Sequence, residues 1–252
     1  MTAQTILPAN SLSAGYEVEN SVLMDRSGSD YFKKSPGAGN RRTWTFATWA
    51  KRTSVSGNHG LITSGTASQV KSYIYFYSSG GKFSYEQYAG GYQINIKTNT
   101  GYQGTSDWAH YIVAVDTTQG TAANRVKMYV DGVQITSLAA STYPSENFQT
   151  DMSDNNLRNI GGEQNGTNTF DGYLAETVFI DGLQLDASSF GEVNSSDVFV
   201  PIDVSDLTFG AKGFYLDYKD EDALGNDVSG NDNDYTTVNL QASDQSTDTP
   251  TS

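Results

Sequence analysis

Arg125-Val126-Lys127-Met128-Tyr129-Val130-Asp131-Gly132-Val133-Gln134-Ile135 decides the fold class. Two runs of alternating apolar and polar residues meet at Asp-Gly, a dipeptide whose two residues accept positive φ and so close a two-residue hairpin. Upstream, Trp108-Ala109-His110-Tyr111-Ile112-Val113-Ala114-Val115-Asp116 predicts the neighbouring strand. Tyr73-Ile74-Tyr75-Phe76-Tyr77, Phe83-Ser84-Tyr85-Glu86-Gln87-Tyr88 and Tyr92-Gln93-Ile94-Asn95-Ile96-Lys97 are separated by Gly-containing turns and predict a three-stranded meander. Trp44-Thr45-Phe46-Ala47-Thr48-Trp49-Ala50-Lys51 alternates as well, with Trp44, Phe46, Thr48 and Ala50 on one face and Trp49 on the other.

Downstream, Leu157 to Gly162 and Phe170 to Ile180 predict two more strands, the second closed by Asp181-Gly182. Leu183 to Phe190 predicts one short helix with Asp186 as N-cap. Gly213-Phe214-Tyr215-Leu216-Asp217-Tyr218 adds a last strand before an acidic, amide-rich stretch. Roughly ten to fourteen short strands with tight turns mean an all-β, two-sheet antiparallel sandwich with at most one short helix. The expected organisation is an arm over 1–19, a sandwich over 20–240 and a polar tail over 241–252. Without apolar content, that tail is expected to be extended or mobile unless a partner holds it.

The 252 residues suit one large sandwich, long enough to bury a core without staples. There is no cysteine, which removes disulfides and thiolate metal sites. A net charge of -14 repels phosphate backbones, so nucleic acid is not an expected partner. Charged residues are only 17%, and hydroxyls and amides take their place, as in extracellular β-proteins. Met1 to Asn20 does not read as a signal peptide, and no apolar run is long enough to span a membrane. Release of a particle by lysis would reconcile an extracellular type of surface with that N-terminus, and so would a cytosolic location.

Several segments, in order, resemble the concanavalin A-like lectin/glucanase superfamily in its laminin G-like, jelly-roll form. They are Asn40 to Phe46, Trp49 to Arg52, Trp108 to Thr118, Asn124 to Gly132, Ile160-Gly161-Gly162 and Phe170 to Glu176. Phe179-Ile180-Asp181-Gly182 with Ser189-Phe190-Gly191-Glu192, and Gly213 to Asp217 with Asn226 to Asp234, are similar to modules of marine phage virion proteins. The resemblance spans roughly residues 20 to 240, and its order and spacing carry it. It implies a virion location, with capsid decoration or a tail fibre as the setting. The partners implied are other virion proteins, a homo-oligomer such as a trimer, and host surface glycan.

Sandwich glycosidases of the superfamily need two carboxylates at even spacing on one strand face. Glu17-Val18-Glu19 has that spacing but precedes the first strand, and Glu176 stands alone. His59 and His110 are the only histidines and lie in no nucleophile or zinc motif, so no catalysis is expected. Asp227, Asn231, Asp232, Asn233 and Asp234 concentrate hard oxygens in one loop. They read either as Ca2+ ligands or as a turn-forming Asx loop, and Asp151, Asp154, Asn155 and Asn156 form a second such set. If Ile74 and Phe76 face the core, Tyr73, Tyr75 and Tyr77 line the outward face, extended by Tyr85 or Tyr88 and by Tyr92. Such rings suit the flat C–H face of a sugar, a protein interface, or plain cross-strand pairing. The functional expectation is a non-catalytic module for host-glycan adhesion or surface decoration. The alternatives are a cement protein that binds no sugar and a divergent glycoside hydrolase.

Overall fold

The computed structural model describes residues 15–66, 69–163 and 165–250. Six strands open the chain: β1 (Ser21–Met24), β2 (Tyr31–Lys34), β3 (Thr43–Arg52), β4 (His59–Thr66), β5 (Gln69–Tyr77) and β6 (Lys82–Tyr88). There follow β7 (Tyr92–Gly101), β8 (Ala109–Asp116), β9 (Val126–Val130), β10 (Val133–Gln134), β11 (Leu138–Thr142) and β12 (Leu157–Ile160). The last six are β13 (Gly172–Asp181), β14 (Gly191–Val193), β15 (Phe199–Pro201), β16 (Phe214–Leu216), β17 (Thr236–Val238) and β18 (Gln245–Ser246). Two eight-stranded antiparallel sheets stack as the expected sandwich. The first runs β10-β9-β8-β3-β13-β1-β18 with β16 also on β13, and the second runs β11-β7-β6-β5-β4-β12-β2-β17.

The Asp-Gly hairpin forms as its chemistry dictates. Asp131 and Gly132 take φ of 47° and 78°, and Val130 pairs with Val133. Alternation also assigns β3 correctly. Trp44, Phe46 and Ala50 enter the core between the sheets, whereas Ala47 and Trp49 face outward. The fully buried Trp44 ring stacks on Phe179 at 5.6 Å and meets the edge of Tyr85 at 5.5 Å. Its indole N–H donates to Thr150 Oγ1 at 2.8 Å, so the core holds no stranded donor there.

The helix expected over 183–190 is a single 3-10 turn, Ala187–Ser189, with the Asp186 carboxylate accepting from Ser188 N. One α-helical turn, Ala122–Arg125, forms instead within the polar loop before β9. No helix among the described residues is long and apolar enough to cross a membrane.

The two outer faces differ. Residues 183–209 pack Phe190, Val204 and Phe209 onto Ala47, Ile112 and Ile180, burying part of the first sheet's outer side. The tail is held by the chain itself: Gln245–Ser246 pair with β1, and the residues before them make a 3-10 turn, Ala242–Asp244. Local polarity did not reveal this, because the hydrogen-bonding edge it needs lies more than 200 residues away.

Candidate functional site

Strands β5, β6 and β7 carry the tyrosines. Ile74 and Phe76 enter the core, so Tyr73, Tyr75 and Tyr77 face out, as expected from period two. The register pairs Ile74 with Tyr85 and Tyr75 with Ser84. Tyr85 is therefore an inward residue, 0% exposed and packed on Trp44, and it leaves the candidate face. Tyr88 and Tyr92 do lie on that face, 49% and 51% exposed, directly paired and edge-on at 5.4 Å.

Tyr75 faces outward yet is only 3% exposed, because its neighbours cover it. Tyr73 stacks on it at 4.2 Å, and Tyr77 meets it edge-on at 6.2 Å. Burial, then the nearby Glu86 carboxylate, pushes the Tyr75 phenol up, so it stays a neutral donor. Tyr73 donates to Glu163 Oε1 at 2.7 Å, which also accepts from Asn168 Nδ2 at 2.6 Å.

Two residues outside the tyrosine reading complete the patch. Lys97 pairs with Glu86 at 3.1 Å and sets its ammonium 3.9 Å from the Tyr77 ring centre. Asn95, opposite Glu86 on β7, keeps its Oδ1 buried without a hydrogen-bond partner. Their outward placement was legible from the alternation of Ile94-Asn95-Ile96-Lys97, although their proximity to Tyr77 required the register. The face thus offers two exposed rings beside a neutralised ion pair, which together suit a polyol.

The acidic loop is differently built. Asp227 Oδ1 accepts from the backbone of Tyr215 and Ser229, and Oδ2 from Ser229 Oγ and Asn233 N, at 2.8–2.9 Å. Four donors fill the roughly four lone-pair sites of one carboxylate. Asn231 and Asn233 donate side-chain N–H to the carbonyls of Gly210, Ala211 and Gly213. Asp234 Oδ1 accepts from Asp227 N, and Asp232 is exposed at φ 54°. This set of donors and acceptors closes a turn on itself and does not fit a calcium cage. In the second set, Arg41 bridges Asp151 and Asp154 at 2.9 and 3.3 Å. Among the described residues no three His, Asp or Glu converge as metal ligands.

The remaining candidates are scattered. Glu17 and Glu19 are exposed and precede β1. Glu176 is 4% exposed at a bulge in β13, where it takes φ of 47° and accepts from the Tyr215 and Tyr16 hydroxyls. His110 is buried between Trp49, Phe190 and Phe199, with ring centres 4.9–5.9 Å away, and His59 lies against Arg26 at the far end of β4.

A family model for the concanavalin A-like lectin/glucanases superfamily, of laminin G type, matches residues 26–183. The chain belongs to this superfamily. The superfamily fold recurs in a candidate carbohydrate-binding protein from Bacteroides ovatus, with TM-score 0.60 and 15% identity, over 92% of this chain and 61% of that one. A heptameric SAP-like pentraxin from Limulus polyphemus gives TM-score 0.49 and 13% identity, over 68% of this chain and 80% of that one. Domains LG4-5 of the mouse laminin alpha1 chain give 0.44 and 17%, over 64% and 41%. At such identities the likeness is one of fold. No curated protein sequence matches this superfamily member.

Proposed function

We propose that the chain is a non-catalytic, lectin-like adhesion module of a virion surface, and that it meets host glycan through the tyrosine face of β5, β6 and β7. The exposed Tyr88–Tyr92 pair beside the Lys97–Glu86–Tyr77 cluster carries the reading. Membership in a lectin-like superfamily supports binding, and the spacing of Phe179-Ile180-Asp181-Gly182 and Ser189-Phe190-Gly191-Glu192 supports the virion setting. The carboxylates argue against glycoside hydrolysis, since Glu86 is held by Lys97 and Glu176 is sealed beneath two tyrosines.

Replacing Tyr88 and Tyr92 with alanine should weaken binding of neutral oligosaccharides at least ~5-fold, as expected from ~0.5–1.5 kcal/mol per lost ring contact. Both rings are half exposed, so the thermal midpoint should barely move. A wild-type protein that binds no sugar on a broad glycan array would sink the reading. If a virion protein were instead captured by wild type and lost by the double variant, the face would be a cement interface.

A further inference from the structure

On the opposite sheet, the C-terminal segment crosses a row of side chains laid out by adjacent strands. Leu23 of β1 pairs with Tyr173 of β13, Tyr173 pairs with Lys51 of β3, and Trp108 stands just before β8. Asp248 lands on this row. Its Oδ1 accepts from Trp108 Nε1 at 3.0 Å and its Oδ2 from Lys51 Nζ at 2.7 Å. The Tyr173 ring lies beside both donors, 5.6 Å from the ammonium and 6.3 Å from the indole. An ammonium and an indole N–H thus converge on one carboxylate next to a flat aromatic face. Burial opposes the charge on Asp248, but the bonds from Lys51 and Trp108 prevail and hold its carboxyl below the usual range.

Little besides these bonds fastens the segment. Two residues of β18 pair with β1, Ser21 Oγ donates to the Asp248 carbonyl at 2.6 Å, and the Gln245 amide reaches the carbonyls of Tyr218 and Lys219. From Gln245 to Thr249 there is no apolar side chain to bury, and beyond Asp248 the strap's apolar anchor is the buried Pro250. Such a strap belongs to the low-stability end of a fold.

We propose that the Lys51–Trp108–Tyr173 row is a binding surface for a carboxylate-bearing sugar of the uronic acid class, and that Asp248 occupies it as the chain's own displaceable stand-in. The sugar carboxylate takes the two donors, and its pyranose ring lies on Tyr173 and the indole. The remaining negative charge of the molecule repels such a ligand at long range, a cost that physiological salt screens. The site is on a different sheet from the tyrosine face, so either can fail without the other.

Trigalacturonate is the probe, titrated calorimetrically into wild type and Asp248→Ala, with galactotriose as the neutral control. If Asp248 covers the row in at least about nine of ten molecules, the apparent affinity is lowered by that closed fraction, so Asp248→Ala should bind trigalacturonate at least ~10-fold more tightly. Galactotriose should gain nothing, and adding Lys51→Ala to Asp248→Ala should abolish the gain. In unaltered protein, saturating trigalacturonate should speed amide exchange over 245–249. It should also shift the tryptophan fluorescence, because Trp44 and Trp49 are sealed and Trp108 is half-buried. Equal affinity of wild type and Asp248→Ala would overturn the proposal, as would an equal gain for galactotriose. So would strap exchange between two copies with no change in ligand affinity.

Discussion

Glu176 and His110 titrate in opposite senses within one folded molecule. Burial pushes the Glu176 carboxyl up from 4.5 to about 7, against the pull of the Tyr215 and Tyr16 hydroxyls. Burial alone drives the His110 imidazole down from 6.5 to about 3. Burial, with the Arg26 and Arg52 charges, takes His59 to about 4. A carboxyl with a raised native value holds its proton better folded than unfolded. Its stabilisation is therefore full below 4.5 and fades as pH rises through about 7. A histidine with a lowered native value does the reverse, stabilising above 6.5 and losing that contribution as pH falls. Between 4.5 and 6.5 the two slopes oppose each other, each at most ~1.4 kcal/mol per pH unit. Glu176→Gln should thus make the urea midpoint climb with pH more steeply than in wild type, and His110→Phe should flatten or invert that climb. If Glu176→Gln leaves the slope unchanged, the carboxyl does not titrate in this window.

Strand elements were the most legible part of the sequence, because period two shows which side chains share a face. Register was not legible. A one-residue slip exchanges the faces, and only the observed pairing of Ile74 with Tyr85 sends Tyr85 inward and leaves Tyr88 outside. The glycine of Phe170-Asp171-Gly172 shows how a motif residue can act through backbone geometry. Gly172 takes φ of 140° where β13 begins against β3, and a Cβ there would lie 2.1 Å from the Lys51 carbonyl oxygen. Gly91, in the turn between β6 and β7, has nothing within 4 Å of a Cβ. Gly172→Ala should therefore cost ~3 kcal/mol or more, combining strain with a displaced strand pair, while Gly91→Ala should stay within ~0.5 kcal/mol. Urea titration of the two variants checks the contrast, and equal midpoints would show that β3 and β13 part freely.

At the scale of the whole molecule, the chain returns on itself in a way that no local pattern announces. Gly213 to Tyr218 could be read as a strand, and the Asx-rich loop as a turn, but their partners could not. After β16 joins β13, the last residues close one edge of each sheet: β17 lies along β2, and β18 along β1. Exposed strand edges template association, and these two are covered only by the C-terminal residues. Deleting 236–250 bares β2 and β1 and also removes Leu240, a core residue, and the acids Asp244 and Asp248. Most of the -14 charge stays behind and opposes contact between copies at low salt. The truncated chain should therefore sediment as larger species than the full chain at equal concentration, and the difference should grow as salt screens the repulsion. Truncated and full chains of the same size at every salt concentration would mean that the bared edges are protected by other residues. The closing strands would then be ornaments of the sandwich rather than its seals.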